Sequence, residues 1–259
     1  PDGLYFTIPS TDDWNTDSDG AYFHYTSADT RQGLEIRDFD FGAVPDGMPL
    51  CCDASANLGT FPMDISKHDV VYAASHKNFS ASGICYAIIR KDLISTKNQK
   101  AGCPTMCNWV KFQEAPNKIY NVPVLFSVWL GAMVCEWMIE KGGVPHFEAL
   151  AIKRSALLYD LIDGSGGFYR TFVTDTKLRS RMQVVFTIRT GEDPADVALV
   201  EEFLRECNDE LGWLDIRSHP FRPGAASDVI RVTMYNHQTV ETINVVRDYM
   251  QAFMKKHTS

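Results

Sequence analysis

Four short apolar runs in the first 90 residues constrain the fold of this chain most. Each run ends in small or polar residues, and the runs are AYFHYTSADT (21–30), MPLCCDAS (48–55), VVYAAS (70–75) and ICYAIIR (84–90). The apolar residues within a run are continuous rather than alternating, which is typical of strands that are buried on both faces of a sheet. The pattern therefore predicts an α/β fold with a mainly parallel sheet.

A long apolar stretch follows these runs. Residues 123–141 are ended by Gly142 and Gly143, and they predict a core helix. A membrane span is not expected, because the stretch contains Pro123 and Glu136 and is shorter than the required length of about 20 apolar residues.

The last part of the chain predicts a smaller α+β unit. An amphipathic helix is followed by strand, helix, strand and helix, over 145–162, 182–189, 194–211, 229–236 and 239–257. Such an alternation suits a sheet with helices packed on it. We predict two domains, a large one over 1–144 and a small C-terminal one over 145–259.

Charge and cysteine content exclude several classes of function. The net charge is −8 and the basic residues are scattered, whereas nucleic acids and anionic membranes require a clustered positive surface. The seven cysteines are odd in number and form no C-x-x-C motif. This pattern predicts reduced thiols in a cytoplasmic protein, rather than a disulfide framework or a zinc site.

Two polar side chains stand at the ends of neighbouring apolar runs. Asp53 ends the second run and Lys77 follows the third. Ligands of α/β proteins bind at the carboxyl ends of the strands, where both side chains are expected. A buried lysine has a lowered pKa and reacts as a neutral amine. Pyridoxal phosphate enzymes require such a lysine and an acid for the pyridine nitrogen, and Lys77 and Asp53 fit these two functions.

Less specific interpretations stay open. A lysine after a strand is often solvated, and an aspartate before a helix is often an N-cap. The small residues from Ser80 to Gly83 would leave room for a flat ring, and Gly83 would supply a positive φ. Among the histidines, we expect His24 to be a core residue with a hydrogen-bond partner and His68 to be a surface residue.

Six segments, in the same order, resemble the phosphoserine aminotransferases, a class V family of fold-type I pyridoxal phosphate enzymes. GAYFHYTSADTRQG resembles the family's His-Tyr-x-x-Asn-Glu-Thr-x-x-Gly, and CCDASANLGTFPMDISKHDVVYAASHKN matches its Asp-to-Lys block without an insertion. The other segments are IYNVPVLFSVWLGAMVCEWMIEKGG, FYR, RSRMQVVF and IRVTMYN. The resemblance covers nearly the whole chain but begins well inside the family's sequence, so we expect the family's first third to be missing here.

The resemblance implies the roles of particular residues. Lys77 would hold pyridoxal phosphate covalently and move a proton between substrate and cofactor, and Asp53 would pair with the pyridinium nitrogen. Thr30 would contact the ring hydroxyl, His76 the cofactor phosphate, and Asn121 the phosphate in the partner subunit of a homodimer. The substrate's anionic groups would be bound by His219 and Arg231, with Arg222 in place of an arginine that the family has beside its histidine.

The implied activity is transamination between L-glutamate and 3-phosphohydroxypyruvate, a step of serine biosynthesis. Two departures from the family pattern leave alternatives open. Val122 replaces a threonine, and extra residues separate His219 from Arg231. The alternatives are a truncated, non-catalytic relative that acts as a dimerisation or interaction module, and a class V enzyme with a different substrate.

Overall fold

The computed structural model describes residues 6–14, 16–17, 19–189, 196–211, 216–218 and 229–258. Its strands are β1 (Phe23–Thr26), β2 (Ala28–Asp29), β3 (Leu34–Glu35), β4 (Leu50–Asp53), β5 (Val70–Ala74), β6 (Cys85–Ile89), β7 (Tyr169–Thr171), β8 (Gln183–Ile188), β9 (Ile216–Ser218) and β10 (Ile230–Thr233). Its α-helices are α1 (Trp109–Glu114), α2 (Leu125–Glu140), α3 (Gly143–Asp163), α4 (Val197–Leu211) and α5 (Val240–Thr258).

The N-terminal sheet has the strand order β1-β4-β5-β6. β1, β4 and β5 are parallel, and β6 is antiparallel to β5. The register places Thr26, Asp53 and Tyr72 side by side. The carboxyl ends of the parallel strands therefore meet at one edge of the sheet, and the predicted mainly parallel α/β sheet is confirmed.

One face of this sheet is packed and the other is open. Cys52 and Val71 are buried in a small core on the packed face. On the open face His24 and Cys85 are exposed, and Tyr72 is only partly buried. The prediction that these strands are buried on both faces is therefore wrong. The apolar runs place side chains on both faces of the pleat, but the described residues pack closely against only one of them.

The second sheet forms the main hydrophobic core. Its strand order is β7-β8-β10-β9, and every neighbouring pair is antiparallel. All positions of β8 are buried, and Phe186, Phe203 and Met250 lie fully buried in a core to which α3, α4 and α5 contribute. The predicted C-terminal α+β unit is thus confirmed. The predicted boundary near residue 145 falls within α3 and stays a prediction.

The helix α2 begins and ends close to the predicted positions. It starts at Leu125 rather than at Pro123. Gly142 and Gly143 have φ values of +109° and +68°, which suit the predicted glycine stop.

The helix α2 was predicted to lie in a core, and this prediction is wrong. Its buried residues are only Ser127, Gly131 and Met138. Large apolar side chains remain exposed along it, among them Leu125, Phe126, Val128, Trp129 and Met133. None of the helices in the described part of the chain is long and apolar enough to cross a bilayer.

Two histidines also differ from the predictions. His24 is exposed on the open face, and its Nε2 lies 3.0 Å from Tyr72 Oη. His68 is buried, with Nε2 2.7 Å from Tyr25 Oη. The predicted core position of His24 and surface position of His68 are wrong, although His24 does have a hydrogen-bond partner. The reason is the alternation of β1, which directs His24 to the open face and Tyr25 to the packed one.

Gly33 joins the turn between β2 and β3 to the second sheet. Its φ is +74°, and a Cβ there would lie 2.9 Å from Val185 Cγ2 and 3.1 Å from Gln183 O. Gly33→Ala is expected to lower the free energy of unfolding by about 1–2 kcal/mol because of its left-handed backbone, and by about 1–3 kcal/mol more because of overpacking.

The control for this prediction is Gly47→Ala. Gly47 has a similar φ of +75°, but a Cβ there would meet nothing within 4 Å. It therefore reports the backbone cost alone. Denaturant unfolding of the two variants measures the difference, and equal losses of stability would contradict the close packing of Gly33 against β8.

Candidate functional site

Asp53 is oriented at the carboxyl end of β4. Its Oδ1 accepts a hydrogen bond from Ser55 N at 2.8 Å. Ser55 Oγ in turn accepts from Ala74 N, at the end of β5, at 3.0 Å. The carboxylate of Asp53 is therefore held by the backbone. Since Asp53 is only partly buried, the carboxylate stays accessible from the open face of the sheet.

Lys77 lies in a tight turn directly after β5. Ser75 O accepts from Phe79 N at 3.1 Å and from Ser80 N at 2.8 Å. Ser75 Oγ donates to Ala81 O at 2.5 Å. These bonds fold the chain back at the end of the strand, so that Lys77 is placed at the same edge of the sheet as Asp53.

The surroundings of Lys77 lower the pKa of its amine. Desolvation is the largest cause, and the positive charge of Arg231 acts in the same direction. The negative charges of Asp53 and Asp29 oppose this shift without cancelling it. The neutral, nucleophilic form of Lys77 is therefore present at lower pH than in a solvated lysine, which is the predicted direction.

Arg231 enters the site from β10 of the second sheet. Its Nη1 donates to Thr30 O at 3.3 Å, so it joins the β2–β3 turn to the C-terminal sheet. Its Nε is buried and has no hydrogen-bond partner within the part of the chain that the structure describes. A buried guanidinium nitrogen is costly unless it meets an acceptor, and this points to an anionic ligand.

Two asparagines, which the sequence analysis missed, fix the Lys77 turn to the second sheet. Asn78 Oδ1 accepts from Asn236 N at 3.1 Å, and Asn78 Nδ2 donates to Ala56 O at 3.0 Å. Asn236 Nδ2 donates to Gly59 O at 3.2 Å. The partners Asn78 and Asn236 are 158 positions apart in sequence, so the only local signal was a polar residue directly after the lysine.

Arg154 supports the same loop from α3. It is fully buried, and its Nη1 donates to Tyr235 O at 2.9 Å and to Gln238 O at 2.5 Å. Desolvation lowers the pKa of its guanidinium to about 10. Arg154 therefore holds the loop between β10 and α5, from which Asn236 reaches the Lys77 turn.

The small residues after Lys77 have a packing function that the sequence did not reveal. Ser80 Oγ donates to Ser127 O at 2.6 Å, and Ser127 Oγ donates to Ser82 O at 2.8 Å. These bonds attach α2 to the lysine turn. Gly83 does have the predicted positive φ, of +110°. A cavity of about 310 Å³ remains between the turn and α2, bordered by Lys77, Leu130, Trp137 and His237.

The structure brings some of the predicted site residues together. Arg231 contacts Thr30, and both Arg231 and Asp53 act electrostatically on Lys77. His76 and Asn121 are exposed, and Asn121 Nδ2 lies 3.5 Å from the neighbouring Val122 O. His219 and Arg222 lie outside the described residues.

Metal and disulfide chemistry find no support in the described part of the chain. No group of three or more His, Cys, Asp or Glu side chains there could hold a metal ion. All seven cysteines are unpaired. The chemistry available at the edge of the sheet is that of an amine with a lowered pKa, an oriented carboxylate and a guanidinium with an unsatisfied donor.

Comparison with known proteins gives a consistent result. Residues 8–246 match the family model described as aminotransferase class-V. The chain is 35% identical over 254 residues to a phosphoserine aminotransferase of Pseudomonas fluorescens, a match that covers 98% of this chain and 64% of that relative. The phosphoserine aminotransferase of Drosophila melanogaster is also 35% identical over 254 residues, with 98% of this chain and 66% of the relative covered.

Solved structures are similar over the same extent. A phosphoserine aminotransferase from Bacillus circulans subsp. alkalophilus superposes with a TM-score of 0.84 at 28% identity, over 97% of this chain and 64% of that one. A phosphoserine aminotransferase from Trichomonas vaginalis, described as PLP-bound, gives a TM-score of 0.81 at 25% identity, over 96% and 65%. The chain thus spans about 64% of the length of the first of these curated relatives.

Proposed function

The chain belongs to the class-V aminotransferase family, and we propose that it acts as a pyridoxal-phosphate-dependent transaminase. The proposed reaction moves an amino group between L-glutamate and 3-phosphohydroxypyruvate, with phosphoserine and 2-oxoglutarate as products, in serine biosynthesis. The observation that carries this proposal is the placement of Lys77 and Asp53 at one edge of the sheet, where partial burial and Arg231 lower the pKa of Lys77. Relatives that bear the name phosphoserine aminotransferase support the choice of substrates.

The residues at the sheet edge fit pyridoxal phosphate. The cofactor requires an amine that can attack its aldehyde carbon, and the partly desolvated Lys77 provides one. It also requires an acid for its pyridine nitrogen, and Asp53 is held in place by Ser55 N, two residues after it, while Ser55 Oγ accepts from Ala74 N on the neighbouring strand β5. We infer that Thr30 contacts the ring hydroxyl, and that His76 and, from the partner subunit, Asn121 contact the phosphate.

The bound cofactor supplies an electron sink for the negative charge that forms at the substrate's α carbon. Lys77 would hold the cofactor through its aldehyde carbon, and its Nζ would carry the substrate's α proton to that same carbon. The carboxylate of Asp53 keeps the pyridine nitrogen protonated through its negative charge. Lys77 therefore has two functions, to hold the cofactor and to move the α proton. Asp53 has one, to keep the pyridine nitrogen protonated throughout the reaction.

Substrate binding is assigned to the C-terminal part of the chain. The unsatisfied Nε of Arg231 supports a contact with a substrate carboxylate or phosphate, since both accept from a guanidinium in a planar fork. We infer that His219 and Arg222 bind the remaining anionic group. Their segment lies outside the described residues, so this assignment depends on the family resemblance.

We further infer that the protein is a cytoplasmic homodimer with domains over 1–144 and 145–259. The exposed apolar side chains of α2 support association, because soluble monomers rarely expose large contiguous apolar surfaces. The unpaired cysteines are compatible with a reducing compartment. The division of the domains is supported by the two separate sheets.

The proposal is tested by incubating the purified chain with pyridoxal phosphate, L-glutamate and 3-phosphohydroxypyruvate and measuring phosphoserine by mass spectrometry. Phosphoserine that appears only when L-glutamate is present is the expected result. A visible absorption band of bound cofactor without phosphoserine would favour a different substrate, an alternative that the extra residues between His219 and Arg231 keep open. If neither an absorption band nor phosphoserine appears, the proposal is contradicted, and a non-catalytic interaction module is favoured.

A further inference from the structure

A histidine and a tyrosine lie on the open face of the N-terminal sheet, next to Asp53. Tyr72 is the register partner of Asp53 on the adjacent strand β5. Residues that are paired in this way have their side chains on the same face of the sheet. His24 is on β1, on the far side of β4, and its Nε2 lies 3.0 Å from Tyr72 Oη. The Tyr72 side chain therefore crosses β4, the strand that ends in Asp53.

We propose that Tyr72, oriented by His24, is a positioning residue for Asp53: the Tyr72 hydroxyl donates to the Asp53 carboxylate and holds it, ionised, towards the pyridine nitrogen of pyridoxal phosphate. This inference rests on the proposed function, because it requires that Asp53 serves the cofactor. It assigns a role to two residues of the sheet that do not themselves contact the reacting atoms.

The direction of proton donation follows from the groups involved. Burial, followed by the negative charge of Asp53, raises the pKa of Tyr72, so the phenol keeps its proton and acts as a donor. A tyrosine hydroxyl has one hydrogen to donate. If Tyr72 donates it in a hydrogen bond to Asp53, Tyr72 Oη must accept a hydrogen bond from His24. This requires the tautomer of His24 with hydrogen on Nε2. The resulting hydrogen-bond chain runs from His24 through Tyr72 to Asp53, and the carboxylate at its end accepts from the phenol.

The same sheet offers a matched control. Tyr25 Oη forms an equivalent pair with His68 Nε2, at 2.7 Å. The register partner of Tyr25 is Cys52, whose side chain belongs to the packed face rather than the face that carries Asp53. Tyr25→Phe therefore removes a tyrosine–histidine hydrogen bond of the same kind from the same sheet without altering the surroundings of Asp53.

The test uses pyridoxal phosphate labelled with ¹⁵N at the ring nitrogen, bound to the full chain. In the wild type the ¹⁵N signal is expected at the position of a protonated pyridine. In Tyr72→Phe it is expected to move towards the position of the unprotonated ring. The same variant should lose about tenfold in kcat with a smaller change in KM, since one hydrogen bond to a charged group is lost. Tyr25→Phe should change neither the signal nor kcat.

Two variants of His24 separate positioning from packing. His24→Ala removes the donor to Tyr72 and is expected to shift the ¹⁵N signal in the same direction as Tyr72→Phe. His24→Gln keeps an N–H donor on a side chain of similar reach and is expected to restore most of the wild-type signal.

The outcomes distinguish this inference from the proposed function. If the wild type binds the cofactor and Tyr72→Phe gives the same ¹⁵N signal and kcat, Tyr72 has no positioning role, and the proposed function stands. Equal shifts in Tyr72→Phe and Tyr25→Phe would also overturn the inference, since they would show a general effect on the sheet. If the wild-type chain binds no cofactor at all, both the proposed function and the inference are overturned.

Discussion

Replacing Lys77 with alanine is expected to abolish covalent retention of pyridoxal phosphate and to lower the rate of phosphoserine formation by about 10²- to 10⁴-fold, the contribution of a positioned general base. The structure gives the reason. Lys77 is the lysine placed at the edge of the sheet beside Asp53, and its pKa is lowered by desolvation and by Arg231. Without its amine, no group at this position can bind the aldehyde carbon or move the α proton.

The measurement is borohydride reduction of the chain in the presence of pyridoxal phosphate, followed by peptide mapping. Label on the peptide that contains Lys77 is expected in the wild type and absent in Lys77→Ala. Lys67→Ala is the control, because Lys67 is an exposed lysine in the short helical turn before β5, at the opposite end of that strand from Lys77. Equal labelling of several lysines, or label that persists in Lys77→Ala, would show that the cofactor is held elsewhere.

The periodic parts of the chain were predictable from its sequence. The four apolar runs became β1, β4, β5 and β6, and the later pattern became β8, α4, β10 and α5 with ends within a few residues of the predicted ones. Hydrophobic periodicity decides such elements because burial of apolar surface is the main driving force for their packing. The short strands β2, β3, β7 and β9 were not predicted. Each has two or three residues, too few to show a period.

Which faces are buried could not be predicted in the same way. The continuous apolar runs of the first sheet resembled strands covered on both sides, yet His24 and Cys85 are exposed. Likewise α2 was expected in a core and leaves Phe126 and Trp129 exposed. An apolar side chain shows that a face of a strand or helix can be buried. The sequence of that strand or helix does not show which other segment packs against it. The chain spans about 64% of the length of the first curated relative.

Hydrophobic patterns predicted the candidate site only where its residues follow strands, and the family resemblance added residues such as Thr30 and Arg231. Asp53 and Lys77 were found because each comes at the end of an apolar run in the sequence. The support of this pair was not found, because it consists of contacts between distant segments. Arg231 meets Thr30 across 201 positions, and Asn78 meets Asn236 across 158. Local patterns contain no information on such pairs, which arise only when the two sheets pack together.

Replacing Arg231 with methionine is expected to separate function from stability. Methionine has a similar length and no charge, so the variant removes the guanidinium with little change in packing. Loss of a charged hydrogen-bond donor to an anionic substrate is expected to lower kcat/KM for 3-phosphohydroxypyruvate by about 10- to 100-fold. The free energy of unfolding is expected to stay equal or to rise, because the buried Nε has no hydrogen-bond partner among the described residues and its desolvation is not compensated there.

The same variant should also change the pH dependence of Lys77. The positive charge of Arg231 lowers the pKa of Lys77, so its removal raises that pKa and moves the labelling of Lys77 by pyridoxal phosphate to higher pH. The control is Arg170→Met, since Arg170 is an exposed arginine on the edge strand β7 of the same sheet, and its Nε donates to Gly167 O at 3.2 Å. If Arg231→Met loses activity only in proportion to a loss of folded protein, with the pH profile of Lys77 unchanged, the role of Arg231 is structural. A fall in kcat/KM with stability retained and the labelling profile shifted to higher pH would instead place its guanidinium beside both the substrate and the lysine.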